Sequence, residues 1–101
     1  MKLLITSAAE LDLEEIEAYI SNDNPAAADR LLVSLLKRFE VLAEMPGIGR
    51  RRDKFARGVR SIAEGDYVVL YRVKNNAVEI LRVLHGAMDP ERVIAETPIE
   101  E

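Results

Sequence analysis

The sequence predicts an α+β fold: a small, mainly antiparallel sheet with a two-helix hairpin on one face and a short C-terminal helix. Three observations carry this. Residues 7–45 hold two stretches with apolar side chains at helical spacing, parted only by Asn22-Asp23-Asn24-Pro25. Residues 58–86, GVRSIAEGDYVVLYRVKNNAVEILRVLHG, read as three short strands joined by two tight turns. The chain has 101 residues, 49% of them hydrophobic, which suits one modest core and a single domain over 1–101.

Each element has a local reason. Residues 2–6, KLLIT, form a short strand. Ser7-Ala8-Ala9-Glu10 spells a capping box, in which the serine oxygen accepts from a backbone N–H and the glutamate reaches back. The helix that follows runs to about Ser21, with Ala9, Leu13, Ile16 and Ile20 on its apolar face. Glu10, Asp12, Glu14, Glu15 and Glu17 fall largely elsewhere, as a solvated acidic surface. Asn24 is the next N-cap and Pro25 the first residue of a helix reaching about Met45. Its apolar face is Ala28, Leu31, Leu32, Leu35, Phe39 and Leu42. A link this short makes the two helices an antiparallel hairpin. Pro46-Gly47-Ile48-Gly49 ends it, and a basic loop begins.

Gly65-Asp66 and Asn75-Asn76 are both two-residue hairpin loops in waiting. Counting outward from them pairs Ile62 with Val69 and Val69 with Arg82, Arg60 with Tyr71 and Tyr71 with Ile80, Val59 with Arg72 and Arg72 with Glu79. One sheet face then carries Arg60, Ile62, Tyr67, Val69, Tyr71, Ile80 and Arg82. The other carries Val59, Ala63, Val68, Leu70, Leu81 and Val83, with Arg72 and Glu79 as a cross-strand ion pair. The second face is the more purely aliphatic, so the helices are expected there, leaving Arg60 and Arg82 side by side on an open surface. Asp89-Pro90 caps and starts the terminal helix, and residues 97–101 are expected to fray.

Net charge is −4, unevenly spread. Residues 1–46 hold 4 basic and 9 acidic side chains, residues 47–60 hold 6 and 1, and residues 61–101 hold 4 and 8. A nucleic-acid binder is usually basic throughout its domain, so the single +5 segment weakens simple polyanion binding. There is no cysteine and one histidine, which leaves no expectation of a disulfide, a metal site or any other cofactor. No apolar run approaches the ~20 residues of a membrane span, and the early acidic turn of the N-terminus argues against a secretory signal. A cytoplasmic protein without membrane contact is expected.

The order strand, helix, helix, three strands, short tail resembles the RelE/ParE superfamily of toxins from type II toxin–antitoxin modules. The residues that carry the resemblance are NPAAADRLLVSLLKRFEVLAEMPGIGRRR, GVRSIAEGDYVVLYRV and EILRVLHGAMDPERV. The run RVLHGAMD after a hairpin ending in YRV looks more like the ParE branch than the RelE branch. Resemblance to ParE implies a protein that poisons DNA gyrase by binding, with no catalytic constellation, held inactive by a cognate antitoxin in a hetero-oligomer. Resemblance to RelE implies a metal-independent endoribonuclease that cuts messenger RNA on the ribosome. A third reading is a non-toxic remnant that only binds antitoxin.

RNA cleavage by 2′-hydroxyl attack needs a base, a cation for the phosphorane-like charge and an acid for the leaving oxygen. Arg60 and Arg82 match by hairpin position two arginines that work in RelE-like nucleases, and His85 is placed to be the acid. A base is missing, because no tyrosine follows Tyr71. His85 is more often a loop histidine bonded to backbone than a catalytic acid, and the arginines are also read as strand residues laying their stems over apolar neighbours. For binding of antitoxin or target, the candidates are Arg50, Arg51, Arg52 and Lys54 in the basic loop, and Arg60, Tyr71 and Arg82 on the sheet. Leu31 and Leu35 are the candidates on the helical hairpin, whose apolar groove would take an amphipathic helix.

Overall fold

A computed structural model describes residues 1–100. Thr6 closes the first strand, β1 (Lys2–Ile5), and opens the first helix, α1 (Ser7–Ser21). Its backbone is extended and its hydroxyl oxygen accepts the Ala9 N–H at 3.2 Å, so Thr6 is the N-cap, one residue before the expected Ser7. The same hydroxyl donates to the Ile80 carbonyl at 2.8 Å, a tie to the sheet that the exposed Ser7 does not make. Asn24 caps α2 (Pro25–Glu44) as expected, accepting the Ala27 N–H at 3.1 Å, with Pro25 in the first turn. One 3₁₀ turn, Pro46–Ile48, then leads into the basic segment.

The sheet has five strands in the order β1-β5-β4-β3-β2. Arg50–Arg51, expected in a loop, forms β2 and pairs with β3 (Arg60–Glu64). Strands β3, β4 (Tyr67–Lys74) and β5 (Ala77–His85) are antiparallel, and β1 joins β5 in parallel. Both turns are two residues long, with Glu64 opposite Tyr67 and Lys74 opposite Ala77. Asn75 and Asn76 both take positive φ, which asparagine tolerates and which suits the strand twist.

The expected register holds for Ile62–Val69, Arg60–Tyr71, Tyr71–Ile80 and Arg72–Glu79. The Arg72–Glu79 ion pair forms at 3.1 Å. Two pairings fail. Val59 lies ahead of β3 and gives its N–H to Ala56 rather than facing Arg72. Val69 faces Val83, not Arg82, because a bulge interrupts the β4–β5 ladder: Leu70 faces Arg82, Tyr71 faces Ile80, and Leu81 is the extra residue.

The helices cover the face opposite to the expected one. Ala9, Leu35, Phe39 and Leu42 pack on Val69, Tyr71, Val78, Ile80 and Val83. The aliphatic face is buried as well: Val59, Leu70, Leu81 and Leu84 lie under Ala56 and under Ile94 of α3 (Pro90–Glu96). The sheet therefore has no open face. The reason is that Arg60, Tyr71 and Arg82 on the tyrosine-bearing face all find hydrogen-bond partners, so their polar heads can be covered. Of the tail expected to fray, Ile99 packs against the second cluster while Thr97, Pro98 and Glu100 are exposed and outside any helix or strand; residue 101 lies outside the described residues. Pro90 starts α3 as expected, while Asp89 sits at the cap position with φ 53° and no side-chain cap bond.

Candidate functional site

The bulge lies beside a buried ion pair. It turns Arg82 toward α1, beside Val83, instead of alternating away from it. Asp12, buried on α1, receives both: Arg82 Nε donates to Oδ2 at 2.8 Å and Nη2 to Oδ1 at 2.9 Å, and the Val83 N–H donates to Oδ2 at 2.9 Å. A two-pronged guanidinium–carboxylate contact is among the stronger hydrogen-bonded pairs. The Asp12 carboxylate, with Glu15 further off, raises the Arg82 pKa above its ordinary value against the effect of burial. Arg82 is thus a permanent cation already matched to an anion.

Beside this pair, α1 and the end of β5 part to leave a cleft of about 410 Å³. Ile16, Val83 and Leu84 contribute its apolar lining, Glu15 and Tyr19 come from α1, and Met88 comes from a second 3₁₀ turn, Gly86–Met88. Tyr67 and His85 meet edge to face there, ring centres 5.1 Å apart. His85 Nδ1 accepts the Ala87 N–H at 3.0 Å, the backbone bond expected of a loop histidine, and this puts the neutral ring's proton on Nε2. Burial, aided by Asp66, pushes the Tyr67 hydroxyl's pKa up, so it stays protonated.

Arg60 shares the helix-covered face with Arg82, but the two serve different partners. Arg60 Nη1 donates to the Gly49 carbonyl at 2.9 Å and to the Gly47 carbonyl at 3.4 Å. Tyr71, fully enclosed, donates its hydroxyl to the Pro46 carbonyl at 2.7 Å and accepts the Gly49 N–H at 2.8 Å. Burial raises its pKa beyond what the Gly49 N–H and Arg60 take back. Tyr71 and Arg60 therefore pin the 3₁₀ turn after α2 to the sheet. The expected surface with two free arginines side by side does not exist.

The basic segment is partly spent inside the fold. Arg51 pairs with Asp53 at 2.9 Å. The Gly58 N–H, then Arg51, holds the Asp53 carboxyl below its usual range. The Arg52 guanidinium lies 4.6 Å from the Phe55 ring centre, and Arg52 and Lys54 both reach Glu91 on α3. Arg50 and Arg57 are exposed and, among the described residues, have no ion-pair partner. On the hairpin, Leu35 is wholly enclosed and Leu31 half-buried against the same core, so the groove expected there is filled by this chain's own sheet. The exposed apolar residues of the helices are instead Leu11, Tyr19, Val33 and Leu36.

Asp12 is the residue that sequence reasoning placed wrongly. It lies three after Ala9 and four before Ile16, the spacing of the buried stripe, and that spacing was the available signal.

Comparison with known proteins decides the family. A family model described as the ParE toxin of the type II toxin–antitoxin system parDE matches residues 3–90. The chain belongs to the ParE toxin family. This ParE-family chain is 37% identical over 87 residues to Toxin ParE1 of Caulobacter vibrioides, covering 84% of this chain and 88% of that protein. It is also 37% identical over 79 residues to Toxin RelE3 of the same organism, covering 77% and 86%. Among solved structures it is similar to a chain of the chromosomal ParDE system from P. aeruginosa, with TM-score 0.70 and 25% identity, over 84% of this chain and 95% of that one. A chain of the toxin–antitoxin complex RelBE2 from Mycobacterium tuberculosis gives TM-score 0.53 and 28% identity, over 83% and 95%. No helix of the described residues is long and apolar enough to cross a membrane.

Proposed function

We propose that this type II toxin acts by binding DNA gyrase, not by cutting RNA, and that a cognate antitoxin silences it. The observation that carries the first half is the occupied state of Arg82. A nuclease stabilises a transition-state phosphorane with a cation left unmatched in the resting site. Here Asp12 takes two donors of that cation, and Arg60 is held on carbonyl oxygens. The hydroxyls of Tyr67 and Tyr71 keep their protons, and the Asp12 carboxylate beside Arg82 is taken up by that arginine and the Val83 N–H. The ParE family match supports the gyrase branch, and the ParDE and RelBE2 titles of the structural neighbours support an antitoxin partner.

The test uses the toxin freed from its antitoxin in two parallel assays. Gyrase supercoiling of relaxed plasmid is expected to stop as toxin is added, while a reporter messenger RNA in a cell-free translation mixture stays intact. Cleaved messenger RNA with unimpaired supercoiling overturns the proposal in favour of the ribonuclease. Neither effect, from folded toxin, leaves the remnant that only binds antitoxin.

A further inference from the structure

One edge of the sheet is built almost wholly from cations. β2, the end strand of the sheet, is Arg50–Arg51, paired only to β3. The loop that joins them, residues 52–59, adds Arg52, Lys54 and Arg57. The carboxylates that pair with this segment are Asp53, which takes Arg51, and Glu91, which takes Lys54 and Arg52. Arg50 and Arg57 are exposed and form no ion pair among the described residues. Even the paired Arg51 keeps a side chain 71% exposed.

The loop holds its shape. The Arg52 N–H donates to the Val59 carbonyl at 2.7 Å, the Val59 N–H to Ala56 at 3.2 Å, and the Gly58 N–H to Asp53 Oδ1 at 2.9 Å. Ala56 and Val59 are buried, so Arg57 stands out beside an anchored backbone. A cation displayed on an ordered loop loses less freedom on binding than one on a mobile chain.

The acidic part of the molecule does not cancel this charge. α1 packs on β5, which lies three strands from β2. At about 4.8 Å per strand the separation is about 14 Å, beyond the Debye length of about 8 Å at physiological ionic strength. A field of one sign therefore persists along the β2 edge. The edge is two residues long, too short to hold a peptide as an added strand. Unmatched guanidinium groups fit phosphate oxygens, which they bind in two-pronged pairs.

We propose that Arg50 and Arg57 grip the phosphate backbone of DNA held by gyrase, so that the toxin binds the gyrase–DNA complex more tightly than gyrase alone. This rests on the reading that the chain binds gyrase. The whole chain carries a net charge of −4, which opposes binding to bare duplex, so gyrase must bring toxin and DNA together.

The experiment titrates fluorescently labelled toxin with gyrase, with and without a saturating linear duplex, across a salt series, and reads anisotropy. The duplex is expected to tighten binding at least tenfold at low salt, while duplex without gyrase leaves the toxin free. Arg50→Ala with Arg57→Ala is expected to erase the advantage and to flatten the dependence of log affinity on log salt by about 1.8, from about 0.9 for each of two phosphates. Arg30→Ala, an exposed arginine on α2, is expected to change affinity less than twofold. Circular-dichroism melts confirm that the variants fold. Equal affinity with and without duplex overturns the proposal, as does a double variant that keeps the wild-type salt slope. A double variant that loses affinity for gyrase alone overturns it too, since the arginines then meet an acidic protein surface. Wild-type toxin that binds gyrase in neither form removes the gyrase reading itself, and the proposal with it.

Discussion

Replacing Asp12 by alanine removes three acceptor contacts at once: two from Arg82 and one from the Val83 N–H. It leaves a guanidinium whose side chain is only 17% exposed without its anion. Breaking a buried ion pair from one side costs about 3–5 kcal/mol, since the orphaned charge stays desolvated. Arg82 borders an open cleft, so water relieves part of that burden and the low end, about 3 kcal/mol, is expected. A domain of this size has a stability of about 5–15 kcal/mol, so the change is severe, with Tm falling by roughly 12–24 °C. The assay is urea unfolding of Asp12→Ala, Arg82→Met and the double variant. The double variant is expected to lose less than the sum of the singles, with a coupling of about 2 kcal/mol. A loss under about 1 kcal/mol for Asp12→Ala, or additivity within about 0.5 kcal/mol, refutes the argument that the pair is a mutually dependent unit.

Other outcomes follow from single contacts. Tyr71→Phe leaves the Gly49 N–H and the Pro46 carbonyl without their partner and is expected to cost about 1–3 kcal/mol, read from the urea midpoint. Gly49→Ala places a Cβ under 3.0 Å from three atoms of the Tyr71 phenol, which is locked at both ends, and should cost about 1–3 kcal/mol by the same measurement. Thr6→Ala should lose about 1 kcal/mol as a cap, whereas Ser7→Ala should be near neutral, and equal losses would restore Ser7 as the cap. Glu91 is held below its ordinary 4.5 by the bond from Lys54, and then by Arg52. A carboxylate depressed in the fold stabilises above its unfolded pKa and loses that contribution as pH falls through its folded value. Below pH 4.5 the tether of α3 should weaken, and Glu91→Gln should flatten the acid limb of the stability profile; an unchanged limb would show that this pair contributes nothing.

What the sequence made readable was local. Asn24-Pro25, the two turns and the period of α2 each depend on neighbours within four residues, and the structure keeps them all. What escaped was long-range. Counting register outward from a turn assumes an unbroken ladder, and one extra residue at Leu81 voids the count beyond it. Tyr71 and Arg82 looked like surface residues because their heads are polar. Their partners, Pro46 and Asp12, lie 25 and 70 residues away and announce themselves by no local pattern. Once those partners exist, the tyrosine face is the one the helices bury, and in place of an exposed arginine pair there is one arginine matched to Asp12 beside a cleft and another held on backbone carbonyls. Asp12 alone was within reach, since its helical spacing already set it on the inward stripe.

The parallel pairing of β1 with β5 sets Lys2 against Ala77 and Ile5 against Ile80. β1 thus has no place to dock until β5, about 75 residues further along the chain, has been made. Until then the nascent chain shows Phe39, Leu42 and their helix-face neighbours to the solvent, since the sheet that covers them is unfinished. Closing so long a loop is slow. Whatever this fold does waits on the arrival of β5, a delay written into strand order.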